Sequence, residues 1–213
     1  MRRLLTIAVL TWGFMAVIPA RPAGGDEPPG SPAPDRVEED WEAVIAVPDQ
    51  AAEGPQLTTC MTPHREEPSR FVAFTVNYRL RPTVQPGGLQ ILAWSDEELL
   101  AQATEGDAAL DTPDEVITWT QQLSVASGEA TYRIRSGQST TWGPFGADDQ
   151  FLVRFAMDAE DLAHYDPEQT AERSGVTWQG DHVARMTLLR VRFYRGEQLL
   201  ETRELSRQVQ LGP

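Results

Sequence analysis

From Val72 to Tyr78 every second side chain is large and apolar: Val72, Phe74, Val76 and Tyr78 share one face of an extended chain. A period of two predicts a half-buried β-strand. The same pattern recurs. Ile117, Trp119, Leu123 and Val125 align in EVITWTQQLSV, Ala130, Tyr132 and Ile134 in EATYRIR, and Phe151, Val153, Phe155 and Met157 in QFLVRFAM. LQILAWS, the long VARMTLLRVRFYR and the closing QLLETRELSRQVQL complete the strand set. Turn residues punctuate it. Pro86-Gly87 fits the centre of a type II turn, Ser127-Gly128 reads as a hairpin turn, and Gly196 reverses the chain before the last strand.

Two segments follow helical rather than strand chemistry. In SDEELLAQA, Ser95 and Glu98 have capping-box spacing, which predicts a short helix. In DPEQTAER, Asp166 is the expected N-cap, with Pro167 at the first helical position. The predicted fold is therefore all-β: an antiparallel β-sandwich, jelly-roll or concanavalin-like, with one or two short helices in its loops.

The N-terminus follows another pattern. A basic start, Met1-Arg2-Arg3, precedes the uncharged apolar run Leu4–Ala20, with small residues at Ala20 and Ala23. This is the layout of a secretory signal peptide over residues 1–20, with Ala23 as a second candidate cut. The rival reading is an uncleaved anchor. Residues 21–40, rich in Pro, Gly and acids, predict a solvated tether. The sandwich is then expected over 41–213.

Composition narrows the function classes. The chain has 18 basic residues, all arginine, against 32 acids, for a net charge of −14; losing Arg2 and Arg3 with the leader leaves 16 against 32. Such a surface repels nucleic acid and anionic lipid. No later apolar run is long enough to span a bilayer, so no membrane insertion is expected once the signal is cleaved. Cys60 is the only cysteine, so no disulfide forms within one chain and an ordinary core must hold the fold.

Candidate chemistry is sparse. In CMTPH, Cys60, Met61 and His64 are copper-type donors. A blue-copper loop needs a second histidine from an earlier strand, and no histidine precedes His64. The remaining histidines, His164 and His182, are far away in sequence, and no HExxH or GxSxG occurs. Glu115 and Glu129 flank strand ends, where solvated acids are normal. Clustered acids such as Asp96, Glu97 and Glu98 would suit a structural calcium ion, but none has EF-hand spacing. No catalytic or metal-ligating residue is assigned and no cofactor is expected.

Two stretches remain as binding candidates. TTWGPFGADDQ places Trp142 and Phe145 beside Asp148 and Asp149. They form an aromatic–carboxylate glycan platform, a tight reversal whose aromatics plug the core, or a protein-contact site. Arg190, Arg192 and Tyr194 share a strand face suited to a partner, or to ion pairs with Glu201 and Glu204. The expectation is a secreted or periplasmic, non-catalytic β-sandwich that binds an envelope protein or a glycan. A structural cell-surface component and a two-carboxylate glycosidase or lyase are the alternatives.

Overall fold

The computed structural model describes residues 32–46, 54–78, 87–106, 108, 110–146, 151–177, 182–209 and 211. The expected signal peptide, Pro86 of the expected type II turn, Asp148 and Asp149 lie outside them. Strand β1 (Arg36–Ile45) runs through the middle of the larger sheet. It pairs antiparallel with β6 (Val116–Ala126) on one side and β11 (Val183–Arg195) on the other. Beyond β11 lies β12 (Gln198–Gln208). Beyond β6 lies β7 (Glu129–Ser139), whose far edge is shared by β8 (Gly143–Phe145) and β9 (Leu152–Ala156).

The smaller sheet has the order β10 (Gly175–Thr177), β2 (Gln56–Met61), β3 (Arg70–Val76), β4 (Leu89–Ser95) and β5 (Glu98–Glu105). Every pairing between named strands is antiparallel among the described residues. The result is the antiparallel β-sandwich that the period-two pattern predicts.

The inward faces meet in an aromatic core. Trp41 and Trp119 are opposite each other on β1 and β6, and their rings stack at 6.1 Å. Phe74, from the smaller sheet, meets Trp119 edge-on at 5.7 Å and also touches Phe145 and Phe151. All five rings are buried. At about 25 cal/mol per Å² of apolar surface, each contributes roughly 1.5–3 kcal/mol relative to an exposed position. The predicted inward residues of β6, β7 and the β9 region are buried as well. Ser127 and Gly128 both take positive φ, 53° and 79°, as a two-residue hairpin turn requires.

Helix α1 (Pro167–Arg173) forms as its cap predicts: the Asp166 carboxylate accepts the Glu168 backbone N–H at 3.0 Å. Two expectations are corrected. The first is the tether through residue 40. Strand begins at Arg36, and Val37 is fully buried, so the folded sandwich starts before Trp41. The second is the SDEELLAQA helix. Ser95 ends β4, Asp96 turns the chain with φ of 54°, and Glu98 pairs across from Ser95 as β5 begins. The spacing read as a capping box is a hairpin end, because β4 offers an open ladder that satisfies more backbone groups than one or two helical turns would.

Candidate binding face and the buried network beneath it

Residues 140–146 of the TTWGPFGADDQ stretch fold back on β7. Ser139 pairs with Gly143 and Gly137 with Phe145. The Phe145 ring lies flat over Gly137, where an added Cβ would come within 2.5 Å of it. Trp142 is half-buried and its ring sits 5.0 Å from that of Phe145. Trp142 and Phe145 are thus brought together, packed onto the core as a plug. Glu115 fastens this corner. Its carboxylate accepts from Ser139 Oγ at 2.6 Å and Thr141 Oγ1 at 2.5 Å, and Ser139 Oγ in turn accepts the Trp142 N–H at 3.3 Å. Glu115 is buried, contrary to the expectation of a solvated strand-end acid; the two hydroxyls replace water at Oε1, while Oε2 has no hydrogen-bond partner among the described residues.

The arginine face is built on β1. Its even-numbered residues Glu38, Asp40 and Glu42 point outward from the larger sheet, and arginines from β11 close on them. Asp40 takes Arg190 through Nε and Nη2 at 2.9 and 2.7 Å, Arg192 through Nη1 and Nη2 at 2.7 and 2.9 Å, and the Thr120 hydroxyl at 2.8 Å. Arg192 also reaches Glu38 at 3.2 Å, and Arg185 pairs with Glu42 at 2.7 Å. Arg190 meets Glu204 of β12 only at 3.7 Å, so the principal acids come from β1 rather than from the hairpin partner. Tyr194 carries the Arg36 guanidinium 4.2 Å above its ring. Partial burial pushes the Asp40 carboxyl up, but hydrogen bonds from Arg192, Thr120 and Arg190 outweigh it and hold the group below its usual range.

Over this strip lies a shallow groove of ≈ 570 Å³. Its polar lining is Asp40, Thr118, Thr120, Ser136, Arg190, Arg192, Glu204 and Ser206. Two of these side chains are guanidinium planes already oriented by Asp40.

The opposite face of β1 holds a second carboxylate. Glu39 is fully buried and lies opposite Gln121 of β6. It accepts from Trp41 Nε1 at 3.0 Å, from Gln121 Nε2 at 2.6 Å and from the Tyr165 hydroxyl. Gln121 Oε1 accepts from Thr59 at 2.6 Å and Tyr132 at 2.8 Å, so β2 and β7 join the network. The Tyr165 hydroxyl also bonds Thr170 of α1 at 2.8 Å. Burial raises the Glu39 pKa from 4.5 to about 7, even though the bonds from Tyr165, Gln121 and Trp41 favour the charged form. Tyr165 and Thr170 are hydroxyls that can reverse their donor roles, so the chain from Glu39 to α1 accommodates either protonation state.

Cys60 is buried and reduced, its thiol pushed up to about 11 by burial. His64 and His164, separated by 100 positions in sequence, are brought together with ring centres 5.9 Å apart. Among the described residues no group of three or more His, Cys, Asp or Glu side chains is placed to hold a metal ion.

No protein-family model, curated protein or solved structure matches this chain.

Sequence reasoning missed Glu38, Glu39, Asp40 and Gln121. Their signal was present. Val37, Trp41, Ala43 and Ile45 keep a period of two through RVEEDWEAVI, and Glu39 and Gln121 are the polar gaps in two otherwise apolar inward faces.

Proposed function

We propose that this protein is a secreted, non-catalytic binding module whose ligand lies across the outward face of the larger sheet, with a glycan chain the favoured ligand class. The observation that carries the reading is the groove above β1. Fixed guanidinium edges, carboxylates and four hydroxyls converge there, the groups that exchange hydrogen bonds with sugar hydroxyls. The export signal read at Leu4–Ala20 fits a module that meets its ligand outside the cytoplasm.

A protein partner, such as an envelope component, is the second reading. It is favoured by the charge of the strip and by Trp142 being packed onto Phe145 rather than standing out as a stacking platform. The carboxyl best suited to acid–base work, Glu39, is sealed in the interior, away from this groove.

A glycan array with the purified chain and its Thr118→Trp variant tests the proposal. Thr118 lines the groove and faces outward, so the indole fills the groove without entering the core. The expected result is saturable oligosaccharide binding, lost in T118W at unchanged melting temperature. Binding that survives T118W, or release of new reducing ends from the array sugars, overturns it.

A further inference from the structure

The most unexpected neighbours in the molecule are the two histidines at the α1 end. His64 lies in the β2–β3 loop and His164 in the segment between β9 and α1. We propose that His64 and His164 form a two-imidazole site for a divalent transition-metal ion of the copper, nickel or zinc class, with water completing the coordination.

Three observations carry this. First, with metal–nitrogen bonds of about 2.0–2.1 Å, two ligating imidazoles have ring centres no more than about 6.5 Å apart, and these are 5.9 Å apart with planes inclined by 35°. Second, His64 Nε2 is buried and has no hydrogen-bond partner among the described residues. A ring nitrogen shielded from water without a partner is in the state that coordination would relieve.

Third, the two loops are already fastened to each other. The Arg65 N–H donates to the His164 carbonyl at 3.3 Å, Gln169 Nε2 donates to the Arg65 carbonyl at 3.1 Å, and Arg65 pairs with Asp166 at 2.9 Å. Little ordering cost therefore remains when an ion arrives. Two neutral imidazoles are the donor set of copper, nickel and zinc rather than of calcium or magnesium, and the net charge of −14 concentrates cations around the chain. The sequence comparison with a copper loop failed for want of a histidine upstream of His64. The fold supplies the second imidazole from downstream.

The test is a Cu(II) titration of the full chain, followed by calorimetry and by electron paramagnetic resonance, repeated on His64→Asn, His164→Asn and His182→Asn. The expected result is one saturable equivalent with two nitrogen donors in the spectrum. Affinity should fall at least tenfold in H64N and in H164N and stay unchanged in H182N. His164 is exposed, so H164N keeps the test open should H64N fold poorly. Absence of saturable binding, or binding indifferent to H164N, overturns the proposal. An acidic or terminal site elsewhere would show itself by surviving both substitutions.

Discussion

Glu39 and Asp40 are adjacent carboxylates on one strand, and the sandwich treats them in opposite ways. Glu39 points inward among neutral donors, and burial lifts its pKa to about 7. Asp40 points outward between two guanidinium groups, which hold its pKa down although the group is half withdrawn from water. The difference is one of burial and of partners, since Glu39 is fully buried and Asp40 only half-buried. For Glu39 the neutral hydrogen bonds offset only part of the cost of burying a charge; for Asp40 a smaller burial cost is exceeded by the bonds from Arg192, Thr120 and Arg190. The inner network consequently has a proton to lose at neutral pH, whereas the outer carboxylate stays ionised to below the ordinary aspartate value.

Removing the inner carboxyl has the largest expected effect. Glu39→Ala leaves the Trp41 N–H and the Gln121 amide without their acceptor and the Tyr165 hydroxyl with Thr170 alone, in a cavity no water reaches easily. A loss of about 3–5 kcal/mol is expected from chemical denaturation. A loss under about 1 kcal/mol would mean that the network is solvated and the inner–outer contrast false.

The pH profile sharpens the same contrast. Folded Glu39 keeps its proton up to about 7, against 4.5 for the ordinary side chain. The fold therefore favours the protonated form, and that contribution is complete below 4.5. As pH rises from there toward 7 the unfolded chain releases the proton while the folded chain retains it, so stability falls, and above 7 it levels off. The fall is about 3 kcal/mol at 1.36 kcal/mol per pH unit. Glu39→Gln keeps the shape and abolishes this slope. A wild-type profile flat between pH 4.5 and 7 sinks the assignment.

The same pair of residues shows what could be read in advance. Strands such as β3, β7 and β11 were legible because their inward positions are uniformly apolar or nearly so. RVEEDWEAVI was not, because Glu39 occupies an inward position and the acids on either side complete what looks like a solvated run. A composition window averages the two faces of a strand, and only the position-by-position alternation separates them. The ion-pair strip failed for a different reason. Its arginines were recognised, but their partners depend on β1 lying beside β11, a pairing between segments some 150 positions apart in sequence. The plug of Trp142 and Phe145 was legible as one of three readings, because glycine spacing indicates a reversal but not which way its rings turn.

Weakening the outer network ranks next. Asp40→Asn removes the charge that orients Arg190 and Arg192 but keeps one carbonyl acceptor, so a loss of about 1–2 kcal/mol is expected at neutral pH. Its pH signature is opposite to that of Glu39. Because the folded pKa of Asp40 is lowered, its contribution is present above the ordinary value of 3.8 and lost as pH falls through the folded value. Wild type should therefore be most stable near pH 4–5, between the two limbs, and D40N should lose only the acid limb. Loss of the neutral limb instead would show that the two carboxyls titrate as one unit.

The smallest effect belongs to the end of the same strip. Arg185 grips Glu42 through Nε at 3.1 Å and Nη2 at 2.7 Å, a geometry as close as that around Asp40. Yet the Arg185 side chain is 54% exposed, against 19% for Arg192. Distance alone would rank the two pairs together; exposure separates them, because water and salt screen the first more than the second. Arg185→Ala should cost no more than about 0.5 kcal/mol at low salt, and the difference from wild type should vanish in 1 M salt. A salt-resistant loss above about 1 kcal/mol would show that Glu38, Asp40 and Glu42 act as one coupled strip, so that the sheet face owes its order to the whole row of charges rather than to the half-buried pair at its centre.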